Sequence, residues 1–420
     1  MSSVTVRFEA ADGWRYGLLG LPLAFVALPL YVLLPNHYAR HFGLPLAALG
    51  ALLLAVRLLD AVLDPWIGRL CDRLFARSAM AVLRLGRIAA AVLAATFALL
   101  FFPPVRGEGM LLAWAACVLV LTSLAFSVLA ISHQSWGAML GGDEQVRSRV
   151  VAWREACGLL GVLLASVLPL LAGFALTSLV LAATLAFACT TWASGPRPHS
   201  ASQGAPAAWQ TPWRSPAFRA LLAVFMLNGI ASAVPATLVL FFVQDRLQAP
   251  PAMESVFLGV YFLFAAAAIP AWLALVPRFG LAPTWLAGML LAVLAFAAAA
   301  SLQPGDLAGF LLVCALSGAA LGTDLAMPGA LLAGVIGAAG HRGRSEGAYF
   351  GWWNCAGKLN LALAAGVALP LLALAGYVPG SRAPAALQAL MLAYCVLPCL
   401  LKLAAAALLW RSLIRTERPL

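Results

Sequence analysis

Arg57-Leu58-Leu59-Asp60-Ala61-Val62-Leu63-Asp64-Pro65 closes most of an apolar run that extends from Leu44 to Ile67. The run is long enough to cross a hydrocarbon core, which takes about 20 helical residues. Two carboxylates stand four residues apart in it, and on a helix that spacing places both on one face. An ionised group at such depth is costly unless it is paired or lines a wet cavity, so it marks a functional site. Two on one face make a cation site built from hard oxygen ligands. The competing reading makes them inner-end anchors that reach water. Arg57, one turn before Asp60, would then neutralise the nearer carboxylate.

Composition sets the class. The chain is 64% hydrophobic and 10% charged, with a net charge of +11 and a mean hydropathy of +0.96. A soluble domain carries about 25% charged residues. The apolar runs are continuous rather than alternating, which favours helices over a barrel. Spans are expected near 16–36, 44–67, 84–103, 109–133, 151–173, 175–194, 217–242, 255–276, 281–301, 307–333, 347–374 and 384–410. Met1–Tyr16 is polar and holds no short apolar segment ahead of a cleavage site, so no removable signal peptide is expected.

Orientation follows from Lys and Arg. With the N-terminus inside, the outer segments hold only Arg40, Arg106, Arg246 and Arg382, and Arg57, Arg154, Lys358 and Lys402 fall within spans. All other basic residues lie in inner segments. Both termini are therefore expected on the cytoplasmic side of a bacterial-type inner membrane. The basic loops face anionic lipid, which accounts for the net charge without nucleic acid. The chain is expected to act as a monomer on a small-molecule substrate, surrounded by membrane lipid.

The longest polar gap, Ser194–Pro216, is rich in Pro, Ser and Gly and reads as a flexible linker. It separates an N-terminal six-helix bundle, 1–194, from a C-terminal one, 217–420, with the linker at 195–216. The fold class is an all-α integral membrane protein of twelve transmembrane helices in two six-helix bundles. Six plus six spans around a long inner loop is the pattern of major facilitator transporters, whose halves rock about a midplane site. No residue-level repeat relates the halves.

Other chemistry is missing. The eight cysteines are scattered without zinc-type spacing. Cys395 and Cys399 read as small apolar packing. His37 and His41 lie at an outer rim. No Gly-x-x-x-x-Gly-Lys loop is present, so ATP-driven pumping is unsupported. With no catalytic cluster, the chain is not expected to be an enzyme or to hold a cofactor. Na⁺ or H⁺ enters only as a transported cation, with Asp60 and Asp64 as its ligands.

Further polar groups lie within or at the ends of spans. Arg154 and Glu155 open span five, Asp324 sits in span ten and Lys358 in span eleven. Lys358 lies deeper than a lysine comfortably snorkels, so it needs a partner or a cavity. Asp324 either pairs with Lys358 on the next helix or helps hold a bend near Pro328. Trp136, Trp153, Trp352 and Trp353 gather near these groups, as a platform for a sugar ring or as an interfacial belt. Gly347, Gly351, Gly357 and Gly366 run along span eleven and permit close helix approach.

Arg57-Leu-Leu-Asp60-Ala-Val-Leu-Asp64-Pro65-Trp-Ile-Gly68-Arg-Leu-Cys-Asp72-Arg73 resembles the signature of the glycoside–pentoside–hexuronide:cation symporters, the melibiose-permease branch of the major facilitator superfamily. The likeness extends to Ser135-Trp136, to Ala152-Trp153-Arg154, to Gly322-Thr323-Asp324-Leu325-Ala326-Met327-Pro328 and to Ser345-Glu346-Gly347-Ala348-Tyr349-Phe350-Gly351 with Lys358. The resemblance implies that Asp60 and Asp64 bind Na⁺, Li⁺ or H⁺, with Lys358, Arg57 and Asp324 as charge partners. It implies a substrate site at Trp136, Arg154, Ser132 and Ala24. Ala24 and Ser132 stand where sugar-transporting members carry aspartates, so the galactoside half looks altered while the cation half looks kept. Asp72, Arg73, Arg77 and Arg149 would form a cytoplasmic latch. The expected function is cation-coupled symport of a small organic solute, a sugar or glycoside or a lipid-like molecule. The alternatives are an uncoupled facilitator or a lysolipid transporter of the same fold.

Overall fold

The computed structural model describes residues 8–198, 208–378 and 380–415. Positions 199–207 of the expected linker, with Arg7 and Arg418 among the inner basic residues, lie outside the described residues. Helices appear in the expected order. They are α1 (10–42), α2 (Leu46–Arg77), α3 (Ala79–Phe101), α4 (Glu108–Met139), α5 (Glu144–Pro169), α6 (Leu171–Ser194), α7 (Pro216–Arg246), α8 (Pro251–Phe279), α9 (Leu281–Ala300), α10 (Leu307–Ala338), α11 (Glu346–Leu374) and α12 (Pro384–Ile414). Among the described residues, nine are long and apolar enough to cross a membrane. The other three, α1, α2 and α11, complete the expected twelve. α1 is interrupted after Gly17 and by a π-helical turn at Pro29–Leu33, where proline removes a backbone donor.

Helices overrun the apolar runs because side chains cap them outside the hydrocarbon. α3 begins at Ala79 rather than near 84, since Ser78 Oγ accepts from the Ala81 N–H at 3.1 Å. α5 begins at Glu144 rather than near 151, since Asp143 Oδ1 accepts from the Val146 N–H at 2.9 Å. Each cap satisfies an N–H that the helix itself leaves open. α5 and α6 run nearly continuously, with the kink at Gly173 (φ +69°) just beyond Pro169.

The chain packs as two compact units, Met1–Arg214 with Ala333–Cys355, and Ser215–Leu332 with Ala356–Leu420. The segment 333–355, expected in the C-terminal half, thus packs within the first unit. The reason is a helix crossing without side chains: a Cβ on Gly68 or on Gly347 would run into the other's backbone. The first unit's core is centred on Phe25, Leu93, Phe97, Trp136 and Trp192. α1 and α5 also meet closely, where a Cβ on Gly20 would strike the Arg154 carbonyl. Lipid offers no hydrophobic drive for helices to associate, so such close packing carries the association. The second unit's core is centred on Leu238, Phe242, Phe257, Phe310 and Tyr394, with Phe242 stacked on Tyr394 at 4.2 Å.

Candidate functional site

α2 buries both carboxylates of the opening motif: Asp60 is 4% exposed and Asp64 is 0% exposed. Ser127 on α4 donates to Asp60 Oδ1 at 2.8 Å. Arg57, one turn earlier, is half-buried. Beside Asp64 the helix backbone is tightly covered, since a Cβ on Gly351 of α11 would lie 2.6 Å from the Asp64 carbonyl. Nothing in the sequence marked Ser127, because a serine in an apolar helix carries no signal until its facing helix is known.

The expected substrate residues all sit in the first unit. Arg154 donates to Glu155 Oε1 from Nε at 3.0 Å and from a terminal nitrogen at 2.5 Å, and it faces the Tyr16 hydroxyl. Tyr16 stacks on His133 at 4.2 Å and donates to the His133 carbonyl at 3.0 Å. Trp136 is buried, donates to the Pro196 carbonyl at 2.9 Å and packs edge-on against Trp192. Ser132 is buried against Cys71, with Oγ and Sγ 3.2 Å apart. Ala24 lies against Gly158 of α5.

Of the four expected latch residues, Asp72 alone is buried, while Arg73, Arg77 and Arg149 are exposed. Asp72 Oδ1 accepts from the Gly347 N–H at 2.6 Å and Oδ2 from the Ala348 N–H at 2.9 Å. These are open donors in the first turn of α11, where the helix dipole also favours an anion. Burial lifts the Asp72 carboxyl well above the ordinary carboxylate range; the two N–H bonds pull it down and neighbouring Glu346 pushes it up. The first half of α11 is held further by Asn354 Nδ2 donating to Gln134 Oε1 at 2.6 Å. The end of the linker joins it. Trp209 stacks between Trp66, at 5.3 Å, and Trp352, at 5.6 Å, and Trp352 Nε1 donates to the Trp209 carbonyl at 2.9 Å. Residues 208–214 are therefore packed chain rather than free linker.

In the second unit, Asp324 pairs with Lys402 on α12, Nζ to Oδ2 at 3.1 Å. Its ion-pair partner is thus Lys402 rather than Lys358, one of the two sequence alternatives. Asp324 Oδ1 also accepts from Asn228 Nδ2 at 2.9 Å and Trp285 Nε1 at 2.8 Å, and Oδ2 accepts from Ser232 Oγ at 3.3 Å. Lys402 Nζ donates to Asn228 Oδ1 at 2.8 Å. Lys402 was visible in the sequence as a charge within a span, yet its partner lies 78 residues away. Lys358 is half-buried on α11, within the second unit.

Among the described residues, twelve helices in this order, nine of them long and apolar enough to cross a membrane, have the architecture of a multi-pass membrane protein of the major facilitator fold. Residues 15–415 match the MFS/sugar transport protein family, and the chain belongs to it. Its members are transporters of small molecules, not enzymes. The chain is 26% identical to the "Inner membrane symporter YicJ" of Escherichia coli (strain K12) over 170 residues, 40% of this chain and 36% of that one. The match thus spans about a third of that relative's length. Solved structures share the fold across nearly the whole chain. A bacterial homologue of the iron transporter ferroportin, outward-facing, matches with TM-score 0.70 at 16% identity, covering 96% of this chain and 99% of that one. The human organic anion transporter MFSD10 matches with TM-score 0.68 at 18% identity, covering 96% and 100%. The E. coli fucose:proton symporter FucP matches with TM-score 0.68 at 15% identity, covering 94% and 98%.

Proposed function

We propose that the chain is a cation-coupled symporter of a small organic solute, with Asp60 and Asp64 as the Na⁺ or H⁺ site. The observation that supports it is the burial of both carboxylates on α2, with Ser127 donating to Asp60 at 2.8 Å. Like charges held one turn apart in a low-dielectric setting are relieved by a cation or a proton. The kinship with a protein described as an inner membrane symporter favours the same reading and an inner-membrane location. Arg57 and Lys358 are the charges proposed to exchange with the cation. Asp72 of α2, which accepts from the first turn of α11, is the proposed latch. Coupling requires that cation binding change substrate affinity, and linkage makes the effect reciprocal. Arg154 is the proposed substrate contact. Ala24 and Ser132 offer no carboxylate to a galactoside, so a melibiose-like sugar binds weakly.

The test is uptake into proteoliposomes. Labelled glycosides and lysophospholipids are screened under an inward Na⁺ gradient, an inward proton gradient and neither. Accumulation above equilibrium is expected under one gradient only. A substrate that equilibrates identically under all three conditions would establish an uncoupled facilitator instead.

A further inference from the structure

The second unit encloses a cavity of about 340 Å³ that none of the residues assigned to cation coupling on α2 reaches. Two helical stripes form its long walls. α7 presents Ser232, Ala236, Val239, Leu240 and Val243, and α10 presents Val313, Cys314, Ser317, Leu321 and Asp324. At 1.5 Å per residue each stripe is about 16 Å long. Ser232 donates to Asp324, so the polar ends of the stripes coincide and the valines mark the far end. Phe257, Leu258 and Phe262 of α8 close a side. Ala236, Leu240 and Leu258 are exposed and leave an apolar slot.

The polar end has a definite hydrogen-bonding character. Asp324 receives bonds from Asn228, Trp285, Ser232 and Lys402. A carboxylate has about four lone-pair sites, so it is saturated. Lys402 has three donors and uses two, on Asn228 and Asp324. The Tyr261 hydroxyl lines the same cavity, within electrostatic reach of Asp324. What remains is donor capacity in a place where the two charges cancel. Glu254, which accepts from Gln244 at 2.8 Å, adds a negative charge at the far end. An anionic ligand is therefore disfavoured, and an uncharged acceptor fits.

We propose that this cavity binds an uncharged single-chain amphiphile of the monoacylglycerol kind. Its oxygen-bearing head meets Lys402 and Tyr261, and its alkyl chain lies along the stripes of α7 and α10. The site is built from residues of the second unit alone and stands whether or not cation coupling does.

The experiment is equilibrium binding of radiolabelled glycerol monolaurate to the full chain in phosphatidylcholine nanodiscs. Saturable binding is expected, with lauric acid competing at least about tenfold more weakly because of its charge. Tyr261→Phe removes one hydrogen bond and weakens binding about fivefold. Ala236→Phe fills the slot and abolishes binding. Non-saturable uptake of the probe, equal binding of lauric acid, or full binding by Ala236→Phe overturns the proposal. A thermal melt verifies that Ala236→Phe folds; if it does not, Tyr261→Phe decides, and an unchanged affinity there overturns the assignment of the head group.

Discussion

α2 buries the carboxylates of Asp60 and Asp64, and the second unit largely covers another, Asp324, in different surroundings. Asp60 and Asp64 are like charges one turn apart on a single helix, and a neutral hydroxyl serves Asp60. Asp324 meets an opposite charge carried by another helix, and Asn228, Trp285 and Ser232 fill the rest of its oxygens. For the first arrangement a bound cation is our proposal, since a cation relieves repulsion between like charges. The second gains nothing, since its charge is already balanced and its lone pairs are occupied. Depth in the membrane therefore does not by itself identify an ion site. For Asp324 the sign of its neighbour and the count of its donors mark a site that is already complete.

The largest expected effect comes from breaking the complete site. Lys402→Met leaves Asp324, whose side chain is 14% exposed, without its counter-charge, which costs up to about 3–5 kcal/mol. Thermal unfolding in detergent should show a steep loss, and adding Asp324→Asn should recover most of it. A Lys402→Met chain that melts like the wild type would erase the contrast. The next effect runs the other way on α2. Asp64→Asn removes the charge and keeps the size, so the chain should still fold and insert. Gradient-driven accumulation should fall at least about tenfold, while downhill exchange persists. Full accumulation by that variant would remove Asp64 from the coupling site. The smallest effect is at Ser127. Ser127→Ala withdraws one neutral donor, worth about 1 kcal/mol, so the half-saturating cation concentration should shift about fivefold. An unchanged cation dependence, with a lowered melting temperature, would make Ser127 a packing residue.

The order of helices was readable in the chain because hydropathy is a local property. The ends of α3 and α5 were not, since Ser78 and Asp143 extend those helices into polar sequence. The carboxylate pair was legible because its two members share one turn-spacing on one helix. Lys402 and Asp324 were legible only as separate charges, since spacing within a helix says nothing about which helix faces it. The same limit hid the stack of Trp66, Trp209 and Trp352. Trp209 sits in a stretch whose Pro, Ser and Gly content reads as unstructured. The placement of 333–355 in the first unit was hidden for a related reason, since a glycine records room for a neighbour but not its identity.

The crossing of Gly68 and Gly347 has a consequence for how this chain can change over generations. Each position already carries the smallest side chain that exists, and each lies against the other's backbone. When a bulky core residue is enlarged, trimming its neighbour often restores the fit. Here no trimming is available. A lineage that acquires alanine or valine at either position has no reciprocal suppressor at the other. Its only local routes back are reversion or a displacement of the whole helix start, together with the two N–H groups that Asp72 holds.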